Sequence, residues 1–185
     1  MDCKLAYRIL ILTLGLGMVA TLLYSVSSFP DKSVSADMLK HTEYLALLTT
    51  WIMGHMLIWT FCFYAKSQYC ESEYGYALIA LQVAAWIGLV TNLQGVIHLI
   101  FVVIFTLTFT AILLLLCQLV WQSIPATLLR AGLIATLCCD ILMLIMFDSQ
   151  YFYLPEHLNL LCYAVFFTAF FYIHPYDEWG VSPYQ

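Results

Sequence analysis

The amino-acid sequence predicts an all-α polytopic membrane protein: a six-helix transmembrane bundle with both termini in the cytoplasm. Three observations carry this. Hydrophobic residues fill 64% of 185 positions and charged residues 9%, against roughly 45–50% and 25% in soluble domains. The apolar residues come in runs mostly longer than about 17 residues, without strand-type alternation, which excludes an outer-membrane barrel. Pro30, Pro125, Pro155, Pro175 and Pro183 all fall outside those runs, where helix breakers belong if the runs are spanning helices.

The spans follow in order. The first, 5–24, begins behind Lys4 and Arg8. A signal peptide ending near Ser25 to Ser28 is the alternative there, but the run Ile9 to Leu23 is long for the apolar core of a leader, which favours a membrane helix. A polar loop leads to the second span, 43–64, closed by Lys66. The third, 74–91, reaches a short turn around Asn92 and Gln94, and the fourth covers 96–120. The fifth, 127–147, contains Arg130 near its start and Asp140 in its interior. The sixth, 158–173, is short: at about 1.5 Å per residue it reaches roughly 24 Å against a 30 Å hydrocarbon core. It therefore begins earlier, near Tyr153, or lies in a thinned bilayer. Connections this brief leave one transmembrane domain, 1–185, and no soluble one.

Orientation comes from Lys and Arg in short loops. With a cytoplasmic amino terminus, Lys4, Arg8, Lys66 and Arg130 lie inside, while Lys32 and Lys40 lie outside among Asp31, Asp37 and Glu43. Cys3 and Cys70 then fall inside, and Cys62, Cys117, Cys138, Cys139 and Cys162 fall within spans, so no disulfide is required. Cys3 beside the basic terminus is a palmitate acceptor or a plain juxtamembrane cysteine.

Lipid tails supply no hydrophobic drive between helices, so small residues at four-residue spacing mark expected contact faces. Thr13, Gly17 and Thr21 form one such stripe, Ala80, Ala84 and Gly88 a second, and Gly132, Thr136 and Asp140 a third. The third stripe turns Asp140 toward protein. An ionisable group at mid-bilayer costs about 2.5–3.5 kcal/mol on insertion scales, so it requires a partner or a polar pathway. His55 lies at the same expected depth, about 15 Å from the inner boundary. Asp140 and His55 thus form a candidate intramembrane polar pair, read as a static clamp with Thr136 also donating, as a proton relay, or as two groups that do not touch.

A second candidate cluster comprises Asn92, Gln94 and His98 at the outer turn, with His41, Glu156, His157 and Asn159 at neighbouring span ends. Metal or haem ligation there lacks HxxH or HxxxH spacing, and solvated helix ends are the expectation. Trp51, His55 and Trp59 share a helix face that would line a flat ligand or simply pack. Tyr151, Phe152, Tyr153 and the segment from Tyr176 to Trp179 suit interfacial belts, and His174 suits a helix end.

No GxSxG, HExxH, P-loop or CxxC occurs, and no serine deep in a span has an evident histidine to activate it. No catalytic residue, metal or cofactor is expected. Without a basic cluster the chain has no nucleic-acid surface; the expected partners are the lipid bilayer and other membrane subunits.

The stretch from Gly88 to His98, with Asn92, Gln94 and His98 in Asn-x-Gln-x-x-x-His order, resembles the six-span superfamily of damage-regulated autophagy modulators and post-GPI-attachment factors. The order of elements is similar, although the Pro- and Ser-rich outer loop of that group is reduced here to Ser27 to Pro30. The resemblance implies a non-enzymatic factor of the Golgi, lysosome or plasma membrane, engaged in lipid or GPI-anchor handling or membrane trafficking, with Asn92, Gln94 and His98 as signature positions. Two other classes fit the composition. One is an accessory subunit of a large membrane complex, for example a respiratory complex of the mitochondrial inner membrane; the other is a small proton-coupled transporter using Asp140 and His55.

Overall fold

The structure, a computed structural model, describes residues 3–28, 33–67, 73–119, 124–146 and 151–173. Cys70, His174 and the segment from Tyr176 to Trp179 lie outside the described residues. Among the described residues there are seven helices: α1 (Cys3–Ser28), α2 (Val34–Lys40), α3 (Thr42–Ser67), α4 (Glu73–Thr91), α5 (Gly95–Leu119), α6 (Ile124–Ile145) and α7 (Tyr153–Ile173). Five of them, α1, α3, α4, α5 and α7, are long and apolar enough to cross a membrane. Helix α6 has similar length, 22 residues, but carries Arg130 and Asp140. Large apolar side chains such as Leu16, Leu57, Leu107 and Leu144 point outward and stay exposed. Such a surface suits hydrocarbon as its solvent, since a water-soluble monomer rarely exposes large contiguous apolar patches.

The long helices run antiparallel in sequence order. On the α1–α7 seam, the Arg8 guanidinium sits 5.5 Å over the Tyr172 ring, Gly15 faces Thr168, and Ser25 meets His157. A Cβ on Gly15 would overlap Thr168 Oγ1, so the two backbones approach only because that carbon is missing. On the α6–α7 seam Gly132 lies against Phe166, whose Cβ would be 2.9 Å from an added methyl. Gly17 seats Trp51 of α3, and the Trp51 indole donates to Thr21 Oγ1 at 3.0 Å. The small-residue stripe of α6 is thus spent inside the bundle, and that of α1 is so at Gly17 and Thr21 while Thr13 is exposed. The other is divided: Gly88 packs under Phe101, whereas Ala80 and Ala84 are exposed.

At the centre, Trp59 of α3 stacks on Phe167 of α7 at 4.9 Å and on Phe109 of α5 at 5.8 Å, and Tyr163 meets Phe109 edge-on at 4.4 Å. Offset and edge-on rings add about 0.5–1.5 kcal/mol each beyond area burial. The aromatic face of Trp51, His55 and Trp59 is therefore packing.

Several expectations need correction. Pro125 and Pro155 lie inside helices, in the first turns of α6 and α7, where a proline costs no helical hydrogen bond because those N–H groups have no intrahelical acceptor. In keeping with the earlier start that its length called for, the last helix begins at Tyr153 and has 21 residues. The polar loop after α1 holds a helix of its own, α2, with Ser33 as its N-cap accepting from Ala36 N at 3.2 Å. Asp37, expected as a loop acid in water, is fully buried, and His157 and Asn159, expected at solvated ends, are 6% and 8% exposed.

Candidate functional site

Alternation of the helices brings one set of ends together: the carboxyl ends of α1, α4 and α6 and the amino ends of α3, α5 and α7, with α2 laid across them. Helix α2 buries Val34, Ser35, Asp37 and Met38, and each of its polar residues among these meets a group from a spanning helix. It stops at His41, whose extended backbone lets its N–H bond Asp37 O at 2.9 Å before α3 begins.

Two serine–histidine pairs stand at this end. In the first, Ser25 Oγ lies 3.1 Å from His157 Nε2 and also donates to the Asp37 carboxylate. His157 Nδ1 faces the Tyr153 carbonyl at 2.8 Å; a carbonyl only accepts, so Nδ1 carries a proton. Ser25 has a single proton to give, and it lies between two groups that would each accept it. Both hydrogen bonds are satisfied only with one proton more than a neutral imidazole and a carboxylate hold: as imidazolium, serine and carboxylate, or as imidazole, serine and carboxylic acid. Either form is neutral overall, which lowers the cost of sealing it from water. Asp37 Oδ1, buried without a hydrogen-bond partner, and the buried Tyr44 hydroxyl beside Ser25 complete this cluster.

In the second pair, Ser35 Oγ is 2.7 Å from His98 Nε2, and His98 Nδ1 lies 2.9 Å from the Asn92 carbonyl. The same reasoning puts the proton on Nδ1 and leaves Nε2 as the acceptor of the Ser35 hydroxyl. Local sequence makes this possible. Asn92 closes α4 by donating its side-chain amide to Gly88 O at 2.9 Å, and Gly95, at φ 78°, turns the chain into α5, a left-handed backbone that favours glycine. The turn between them aims the Asn92 carbonyl back at the first turn of α5, where His98 stands. Gln94 is exposed beside it. Glu156 holds the other side of α2, accepting from Val34 N at 2.9 Å.

Ser35 and His98 line a groove of about 370 Å³, together with Ser33, Gln94, Phe152 and Glu156. Ser35, Val102 and Glu156 are shared with a cavity of about 60 Å³ that runs among Met38, Trp86, Phe105, Phe109 and Tyr163. Its walls are mostly apolar, with Thr106, Asn159, Tyr163 and the shared Ser35 and Glu156 as the polar residues, and the buried indole N–H of Trp86 has no hydrogen-bond partner. One water-sized group needs about 10–15 Å³ of such space, so the cavity accepts a short chain segment of about four such groups.

The intramembrane candidates are separate from this end. Asp140 accepts from Thr110 Oγ1 of α5 at 3.2 Å and from Asn159 Nδ2 of α7 at 2.5 Å, tying three helices. Thr136, expected to donate to it, is buried on the neighbouring turn. His55 is 3% exposed, has Nδ1 2.7 Å from Trp51 O and rests on Tyr163 at 5.2 Å. Asn159 and Tyr163 are one turn apart on α7, so the two candidates share a level to within about 6 Å, yet their described hydrogen bonds go to different partners. His41 approaches Glu43 at 3.5 Å, an exposed pair of the kind worth at most about 1 kcal/mol. Among the described residues no group of three His, Cys, Asp or Glu is placed to hold a metal ion.

Sequence reading found Asn92, Gln94 and His98 but not Ser35 or Asp37, which join the site because α2 folds back over the bundle, nor Ser25, which joins it where α1 meets α7. The one available signal was Ser33-x-x-Ala36 ahead of Asp37, an N-cap serine opening a short helix. Comparisons with protein-family models, with curated proteins and with solved structures find no match to this chain.

Proposed function

We propose that the protein is a six-span membrane factor, both termini cytoplasmic, that binds a lipid-like amphiphile at the α2 end and serves lipid or GPI-anchor handling. The carrying observation is that Ser35, Val102 and Glu156 line both a groove that holds Ser33, Gln94 and His98 among apolar side chains and the aromatic cavity around Trp86 and Phe109. A site for an amphiphile needs this order of surfaces: hydrogen-bonding groups for a headgroup, then apolar walls that bury the start of a chain. Trp86, whose buried N–H has no hydrogen-bond partner, lines this cavity. The resemblance carried by Asn92, Gln94 and His98 supports the same class and favours the Golgi, lysosome or plasma membrane.

The test is photo-crosslinking of the detergent-purified protein with a diazirine-tailed phosphatidylcholine, followed by peptide mapping. Labels are expected on α4, α5 and α7 around Trp86, Phe105 and Tyr163, and Val102→Trp, which adds bulk to the shared lining, should remove most of them. Labels spread over the outer helix faces and indifferent to Val102→Trp would refute the site. Reporters fused at residues 1 and 185 should both report the cytoplasm; an exoplasmic signal from either rejects the topology.

The exposed Ala80 and Ala84 favour one second reading, an accessory subunit whose α4 packs on another membrane protein. Purification in mild detergent decides it: a fixed stoichiometric partner supports that reading and a lone chain rejects it.

A further inference from the structure

We infer that Ser35 and His98 are a nucleophile–base pair for acyl transfer from a lipid ester bound in the groove, an activity that rests on the amphiphile-binding reading above. Four observations converge. The Ser35 Oγ to His98 Nε2 distance of 2.7 Å is a direct hydrogen bond, within the range that a general base needs to take a hydroxyl proton. The Asn92 carbonyl holds Nδ1–H at 2.9 Å, so the lone pair of Nε2 points at the serine, and a third group orients the base as activated serines require. Ser35 lines both groove and cavity, so an ester with its headgroup in the first and its chain in the second would place its carbonyl by this hydroxyl. Finally, among the described residues no carboxylate is hydrogen-bonded to Ser35, in contrast to Ser25, whose hydroxyl is held by Asp37 in a cluster with no exposed serine surface.

The step balances with the chain's own groups and water or an alcohol. Ser35 Oγ attacks the ester carbonyl carbon while its proton passes to His98 Nε2. The carbonyl oxygen takes the negative charge, and the side-chain amide of Gln94, which lines the same groove, is assigned as its donor. The C–O bond to the alcohol then breaks, the leaving oxygen takes the proton from Nε2, and an acyl-Ser35 remains. Water, or a second lipid alcohol, attacks that ester as its proton moves to Nε2, and Ser35 leaves with the proton restored. Asn92 and Glu156 are positioning residues, the first through its carbonyl on His98 and the second through Val34 N on α2.

The experiment treats the full-length protein in detergent with a fluorophosphonate probe and maps the modified peptide by mass spectrometry, in parallel with turnover of p-nitrophenyl octanoate. The wild type should carry one label, on Ser35; Ser35→Ala should lose label and turnover, and His98→Gln should slow turnover by about 10²–10⁴-fold. Label on Ser25 instead, no label, or turnover unchanged in Ser35→Ala would overturn the assignment. Because the label is mapped on the wild type, the test does not depend on a variant folding. The diazirine lipid separates the two readings: cross-links retained around Trp86 with Ser35 unlabelled would sink the acyl-transfer pair alone, whereas loss of those cross-links in the wild type would sink the binding site beneath it.

Discussion

Two serine–histidine pairs at the α2 end of the bundle share one local design and differ in everything around it. Each histidine gives Nδ1–H to a backbone carbonyl and turns Nε2 to a serine, His157 through Tyr153 and His98 through Asn92. Ser25 is fully buried and clasped by Asp37, while Ser35 opens on a groove of about 370 Å³. Neighbours therefore decide the role of the pair. A carboxylate competing for the serine proton and a sealed surround make the first a buckle that pins α2 to α1 and α7. Removing the competitor and admitting a ligand leaves the second with a free base. Identical side chains at similar distances are structural in one place and fit for chemistry in the other.

The strongest way to break this comparison is to remove the carboxylate. Asp37→Leu leaves the Ser25–His157 pair buried without its counter-group and should cost about 3–5 kcal/mol, as loss of one partner from a buried ionic cluster does. Ser35→Ala should cost only about 1 kcal/mol, since its histidine keeps access to water. Thermal unfolding in detergent checks both, and equal losses would mean that the two ends of α2 are held alike.

The next effect tests how the buckle is positioned. Gly15→Leu drives a side chain into Thr168 on the seam that aligns Ser25 with His157, and Gly132→Leu does the same against Phe166. Overpacking of this kind costs about 1–3 kcal/mol, so both variants should lower the yield of monodisperse protein. Normal yield from Gly15→Leu would show that the α1–α7 seam is not what seals the first pair.

Asp140 offers a third polar knot, without a histidine. A double-mutant cycle between Asp140 and Asn159 should show coupling of about 0.5–3 kcal/mol, and the cycle between Asp140 and His55 should be additive. Coupling to His55 would restore the relay pairing. Asp140→Asn removes a charge that is costly to bury and keeps groups able to bond Thr110 and Asn159, so stability should hold or rise. A marked loss would make the charge itself part of the fold. The smallest effect belongs to Ala84→Leu on the exposed face of α4, expected to stay within about 0.5 kcal/mol; a larger loss in native membranes than in detergent would point to a partner on that face.

What the sequence determined by itself was set by the bilayer. Runs of apolar residues, their lengths and the charges between them specify spanning helices because a lipid environment leaves the backbone no other way to satisfy its hydrogen bonds, and the small-residue stripes at Gly17 and Gly132 marked true seams. The signature turn was equally local: Asn92, Gln94, Gly95 and His98 sit within one cap and one helical turn, so their spacing foretold their association. Tertiary structure alone decided the rest. Whether Asp37 meets water or Ser25 and which serine faces His98 depend on α2 folding over the bundle, which joins residues 12 and 63 positions apart, and whether His157 is a solvated end or part of a buckle depends on the α1–α7 seam, which joins residues 132 apart. The partners of Asp140 were hidden for the same reason. Depth can be counted along a helix from its end, but the azimuth that turned Asp140 toward Thr110 and Asn159 is set by how neighbouring helices pack, and no spacing within one helix encodes that.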